Sequence, residues 1–168
     1  HRRFTSDSVM DARTLRELYL TAFEIAVKEG RPSTVMCAYP KLNGIHCSDH
    51  KELLTDILRT EWGFDGMVVT DWGAMNDRIR GFQAGCDLNM PGGSGFMEKE
   101  AAQAVREGRL SVEQIDESAR RVLRLVFRSA ENREADASCD YEAHHDLARR
   151  AAAEGAVLLK NEGDLLPL

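Results

Sequence analysis

Asp71 and Trp72 stand at the end of Met67-Val68-Val69-Thr70, a short run with the length and β-branched content of a strand. A buried strand that delivers a carboxylate and an indole to its C-terminal tip is how an α/β barrel builds an active site. An Asp there can attack an anomeric carbon, and a Trp face can stack on a sugar ring. The same stretch, residues 66–73, also suits a strand-to-helix turn in which Asp71 caps the next helix beside a packing Trp.

The surrounding elements must position these two groups. Leu15, Leu18, Ala22 and Ile25, widened by Tyr19 and Ala26, predict a helix over 11–29 that Gly30 and Pro32 stop. A buried strand over 34–39 and a tight turn at Asn43-Gly44 follow. Leu53, Leu54, Ile57 and Leu58 mark a helix over about 49–62, and Gly63 ends it before the strand at 66–70. Helices are expected over 74–84 and 96–107, with a strand-like piece at 86–90 between them. Ser111-Val112-Glu113-Gln114 is a capping box that opens a further helix. Alternation of this kind implies parallel strands under covering helices, and the first two strands lie about 33 residues apart, close to one βα unit. Three strands do not close a barrel, so the expectation is an open sheet or the later part of a (β/α)8 barrel. Residues 129–140 read as a polar linker, 141–154 as an Ala-rich helix and 156–159 as a short strand, the opening of a second domain.

Composition narrows the classes. The 168 residues carry a net charge of −6 with scattered Lys and Arg, which offers no basic face for nucleic acid. No run reaches the ~18 apolar residues of a membrane helix. The basic start at His1-Arg2-Arg3 has no hydrophobic region behind it and does not read as a secretory signal. Cys37, Cys47, Cys86 and Cys139 match no metal spacing. Cys37 and Cys86 read as reduced, buried groups in a cytoplasmic protein. No metal and no cofactor are expected.

Five motifs, in order, resemble glycoside hydrolase family 3 of the retaining β-glucosidase type. They are Val35-Met36-Cys37-Ala38-Tyr39 with Leu42-Asn43-Gly44; Leu53-Leu54-Thr55 with Leu58-Arg59 and Glu61-Trp62-Gly63-Phe64; Val68-Val69-Thr70-Asp71-Trp72; Ala84-Gly85-Cys86-Asp87-Leu88 with Met90-Pro91-Gly92; and Val157-Leu158-Leu159-Lys160-Asn161-Glu162 with Leu165-Leu166-Pro167-Leu168. The resemblance implies an α/β fold: the C-terminal part of a (β/α)8 TIM-barrel-like domain over 1–128, a linker over 129–140 and the start of an α/β sandwich over 141–168. It implies a β-glycoside or oligosaccharide substrate, and it leaves the oligomeric state open. The family's Lys-His pair for sugar hydroxyls is expected before His1, and its general acid beyond Leu168.

By this resemblance Asp71 is the nucleophile that forms a glycosyl-enzyme ester. Tyr39, at a neighbouring strand tip, would hydrogen-bond the Asp71 carboxylate or the ring oxygen, or else be a half-buried Tyr at a strand end. Trp72 would wall the sugar pocket or pack in the core. Met90 would touch the sugar or fill a gap. Arg78 would steady a sugar hydroxyl or a carboxylate, or form a surface ion pair. A structural hydrogen-bonding role is expected for Asp87. Glu61 and Asp65 flank the other end of the strand, the stability face of a barrel, and are rejected as acids. Pro40 and Gly73 depart from family residues that contact sugar, so those contacts do not carry over. The rival readings are an N-acetyl-β-hexosaminidase of the same family, against which the Lys160-Asn161 tail argues, and a truncated, non-catalytic polypeptide. A free-standing chain with this nucleophile and no acid is expected to be inactive.

Overall fold

The structure, a computed structural model, describes residues 2–93 and 95–166. Pro167 and Leu168, the end of the last motif, lie outside them. The chain divides into two units, 1–132 and 133–168.

The first unit opens with β1 (Asp7–Ser8) and α1 (Ala12–Thr14), whose N-terminus is capped by the Asp11 carboxylate accepting from Thr14 N at 2.7 Å. The helix predicted over 11–29 is not continuous. It widens to a π-type turn over Leu15–Tyr19, where Leu20 N donates to Leu15 O, and resumes as α2 (Thr21–Gly30). The Thr21 hydroxyl donates to the Arg16 and Glu17 carbonyls, drawing them out of the regular ladder. Arg31, not Gly30, takes the left-handed conformation that ends α2 (φ 46°).

β2 (Thr34–Cys37) stops two residues short of the predicted 34–39, just before Pro40 enters the chain. A hairpin follows, β3 (Lys41–Leu42) and β4 (Ile45–His46), around Asn43-Gly44. Both turn residues have positive φ, 51° and 86°, as a two-residue hairpin of matching twist requires. β1 lies parallel to β3, which makes a small sheet that the hydrophobic pattern did not announce. Cys47–Asp49 is a separate 3-10 turn, so the helix predicted over 49–62 begins at Glu52 and runs to Glu61 with π-type bonding.

β5 (Met67–Thr70) pairs in parallel with β2 from Thr34 opposite Met67 to Cys37 opposite Thr70. On its other side the strand predicted over 86–90 reduces to one parallel bridge, Val69 to Leu88. Side chains have taken the backbone groups that would extend it. Met90 N donates to Thr70 Oγ1 at 2.9 Å, and the Cys86 and Asp87 carbonyls accept from Arg78 at 3.1 and 2.8 Å. α3 (Arg78–Ala84) starts four residues later than predicted because Asp77 is its cap, accepting from Ile79 N and Arg80 N. α4 (Phe96–Arg106) and α5 (Val112–Glu131) complete the unit, α5 behind the predicted Ser111–Gln114 capping box.

Val27, Leu42, Leu54, Leu58, Phe64, Val68 and Met75 share one core with Cys37, Cys47 and Cys86. Burial pushes the Cys47 thiol up to about 11, so it packs as a neutral group. Cys139 is exposed. The second unit holds α6 (Tyr141–Gly155), capped by Asp140 accepting from Ala143 N at 3.0 Å. The strand predicted over 156–159 is not formed. Leu159 is 92% exposed, and within this unit no second strand is described to pair with it.

Candidate active site

The parallel register decides what meets at the end of β5. Cys37 lies opposite Thr70, so Tyr39, two residues on, comes level with Trp72. Its hydroxyl donates to the Trp72 carbonyl at 2.8 Å. The expected Asp71 carboxylate lies near the phenol, and this bond ties Tyr39 to the neighbouring backbone as well. Burial, then the nearby Asp71 carboxylate, hold the phenol above its ordinary value and keep that proton in place.

Asp71 sits one residue beyond β5, half-buried. Its N–H donates to Cys37 O at 3.2 Å and its carbonyl accepts from Ala74 N at 3.0 Å. Its Oδ1 accepts from Trp72 N at 2.6 Å. The alternative in which Asp71 caps the next helix fails, since Asp77 has that task. Thr70, 1% exposed, receives Met90 N on its hydroxyl, and Gly73 N donates to Met90 O at 2.8 Å. Met90 is thereby brought against the turn that carries Asp71 and Trp72. Trp72 is 60% exposed, so its indole is not a core group.

Arg78 is not brought to Asp71. Its guanidinium stacks on the Phe82 ring, 3.6 Å from the centroid, while bonding the Cys86 and Asp87 carbonyls. It lines two clefts of about 320 and 390 Å³ that Tyr39, Asp71 and Trp72 do not share. Asp87 is structural, as expected, and more so than its sequence context shows. One oxygen of its fully buried carboxylate accepts from Val68 N at 2.8 Å and Arg59 Nη2 at 2.7 Å. The other accepts from Ser118 Oγ and Arg121 Nη1, both at 3.0 Å. β5 is thus tied to the Glu52–Glu61 helix and to α5. Glu61, rejected as an acid, forms a two-bond pair with Arg16 at 2.6 and 2.8 Å.

Sequence reasoning missed Arg3 and Phe4 as neighbours of this site. The Arg3 guanidinium lies 4.5 Å from the Tyr39 ring centroid, and Phe4 meets that ring edge-on at 4.5 Å. The contact spans 36 positions and leaves no local pattern. Among the described residues no cluster of His, Cys, Asp or Glu could hold a metal. Tyr39→Phe should cost about 1 kcal/mol of stability, the worth of one hydrogen bond, and urea unfolding of the variant checks it.

The family model described as the glycosyl hydrolase family 3 N terminal domain matches residues 4–125. The chain belongs to glycosyl hydrolase family 3. Over 168 residues it is 52% identical to thermostable beta-glucosidase B of Acetivibrio thermocellus, covering 100% of this chain and 22% of that protein. It is 41% identical over 167 residues to an exo-alpha-(1->6)-L-arabinopyranosidase of Bifidobacterium breve, covering 99% of this chain and 22% of that protein. Among solved structures, beta-glucosidase 3B from Thermotoga neapolitana in complex with glucose superposes with a TM-score of 0.83 at 42% identity, over 99% of this chain and 24% of that one. The chain therefore spans less than a quarter of the length of these family 3 relatives. Its architecture is mixed α/β, as expected.

Proposed function

We propose that this chain carries the nucleophile side of a retaining β-glucosidase active site. The observation that supports it best is the half-buried Asp71 carboxylate at the C-terminal tip of parallel β5, inside the segment matched to family 3. In this reading Asp71 attacks the anomeric carbon as the bond to the leaving oxygen breaks. A carboxyl from outside this chain, about 5–5.5 Å from Asp71, protonates that oxygen. The same group then takes a proton from water, which hydrolyses the ester. The exposed Trp72 indole walls the sugar, Met90 lies at its edge, and Arg3 presents a cation beside Tyr39. Tyr39 acts on the site through the Trp72 backbone. Arg78 is assigned to bracing rather than to substrate. The first unit is then the later part of a (β/α)8 barrel-like domain, and the second opens an α/β sandwich.

The test is hydrolysis of 4-nitrophenyl β-D-glucopyranoside by the full-length protein, with the first-formed anomer read by proton NMR. β-Glucose first supports retention, and α-glucose first contradicts it. The 41% identity to an arabinopyranosidase favours one further substrate for the same assay, the 4-nitrophenyl α-L-arabinopyranoside. A higher kcat/KM on it would reassign the sugar and leave Asp71 its role.

A further inference from the structure

The segment that carries Trp72 is tied down at its far end by a second, separate set of bonds. Ser48, with no exposed surface, donates its hydroxyl to Asp49 Oδ1 at 2.8 Å and accepts from Asn76 N at 3.4 Å. The Asn76 amide donates to Asp49 Oδ2 at 2.7 Å. Ser48 and Asp49 belong to the 3-10 turn that leaves the β3–β4 hairpin. The hairpin in turn holds the N-terminal arm. Asp7 Oδ1 accepts from Gly44 N at 3.0 Å, and Asn43 Oδ1 accepts from Met10 N at 2.9 Å. A continuous set of contacts therefore joins the arm that brings Arg3 to Tyr39, the small sheet, and the 71–76 connection.

We propose that Asp49 and Asn76 are positioning residues for the nucleophile turn, a role that rests on the function proposed above. Neither needs to touch substrate. With Tyr39 and Met90 holding the near end through Trp72 O and Gly73 N, the Asp49–Asn76 bond holds the far end before α3 begins. The turn is then fixed by its neighbours before any sugar arrives, which is what in-line attack demands. Displacement of a reacting group by about 1 Å costs on the order of 100-fold in rate.

The donor and acceptor can be exchanged, and this gives the test. Asn76→Asp sets two carboxylates against each other. The double variant Asp49→Asn/Asn76→Asp restores the bond with its direction reversed, because the new amide can donate to residue 76 while its oxygen still accepts from Ser48. In the full-length protein, the rate constant for trapping by 2-deoxy-2-fluoro-β-D-glucosyl fluoride would be measured per trapped molecule, with kcat and KM on the aryl glucoside. Asn76→Asp is expected to lower the trapping rate and kcat about tenfold with little change in KM. The double variant should return to within about threefold of the parent. Trapping of Asn76→Asp at the parent rate, or a double variant no faster than the single, would overturn the inference. Per-molecule rates exclude a mere loss of folded protein. Labelling of the parent at Asp71 tests the functional reading separately, and its failure would remove both.

Discussion

Asp71→Asn in the full-length protein is expected to lower kcat/KM on an aryl β-glucoside by about 10⁴-fold or more, the scale set by deleting a catalytic group. That corresponds to about 5.4 kcal/mol of lost transition-state stabilisation. The substitution keeps the shape of the side chain, and an amide oxygen can still accept from Trp72 N, the bond that Asp71 Oδ1 makes now. The turn should therefore hold and the thermal midpoint should barely move. What disappears is the nucleophile. A purely structural Asp71 would instead leave activity intact at a similarly small change in stability, about 1 kcal/mol or less. Activity thus separates the two roles in one variant, and melting of the same preparation shows that the fold is kept.

Asp87→Ala should have the largest effect on stability. The carboxylate is fully buried, and Arg59 and Arg121 pair with it at 11% and 20% side-chain exposure. Burial already pushes the Arg59 guanidinium down from its ordinary value, and the Asp87 carboxylate works against that shift. Removing Asp87 leaves Arg59 without its carboxylate partner, Arg121 with only Glu117 at 3.6 Å, and Val68 N without its acceptor. Breaking a buried pair in this way costs about 3–5 kcal/mol. In a domain of this size that is a fall in melting temperature of roughly 10 °C or more. Because Val68 lies on β5, the strand that leads to Asp71, activity should fall as well, in proportion to the folded fraction. A change below about 1 kcal/mol would mean that water, not Asp87, satisfies these arginines.

The residues legible in the sequence were those whose signals are local. The apolar run before Asp71, the Asn43-Gly44 turn and the Ser111 capping box each state their structure within a few positions, and each formed. Failures came where a side chain outbid the backbone pattern. Thr21 widened the first helix, Asp77 delayed α3, and Arg78 with Thr70 cut the 86–90 strand to a bridge. At the site, the apolar strand run pointed to Asp71 and Trp72 and the family resemblance to Tyr39 and Met90, and the structure brings these four together. Arg78 could not be placed correctly because its partners, Phe82 and two carbonyls, are indistinguishable in sequence from an open surface. Arg3 and the Asp49–Asn76 bond depend on contacts between distant segments, for which a single sequence offers no period or motif.

The central claim is that Asp71 becomes covalently bonded to the sugar. Incubation of the full-length protein with 2-deoxy-2-fluoro-β-D-glucosyl fluoride, followed by proteolysis and peptide mass spectrometry, reads that bond directly. The 2-fluoro group slows both steps, and the fluoride leaving group offsets this for the first, so the ester accumulates. The expected result is one fluoroglucosyl group per chain, on Asp71. A label on another carboxylate, such as Asp49 or Asp77, would contradict it.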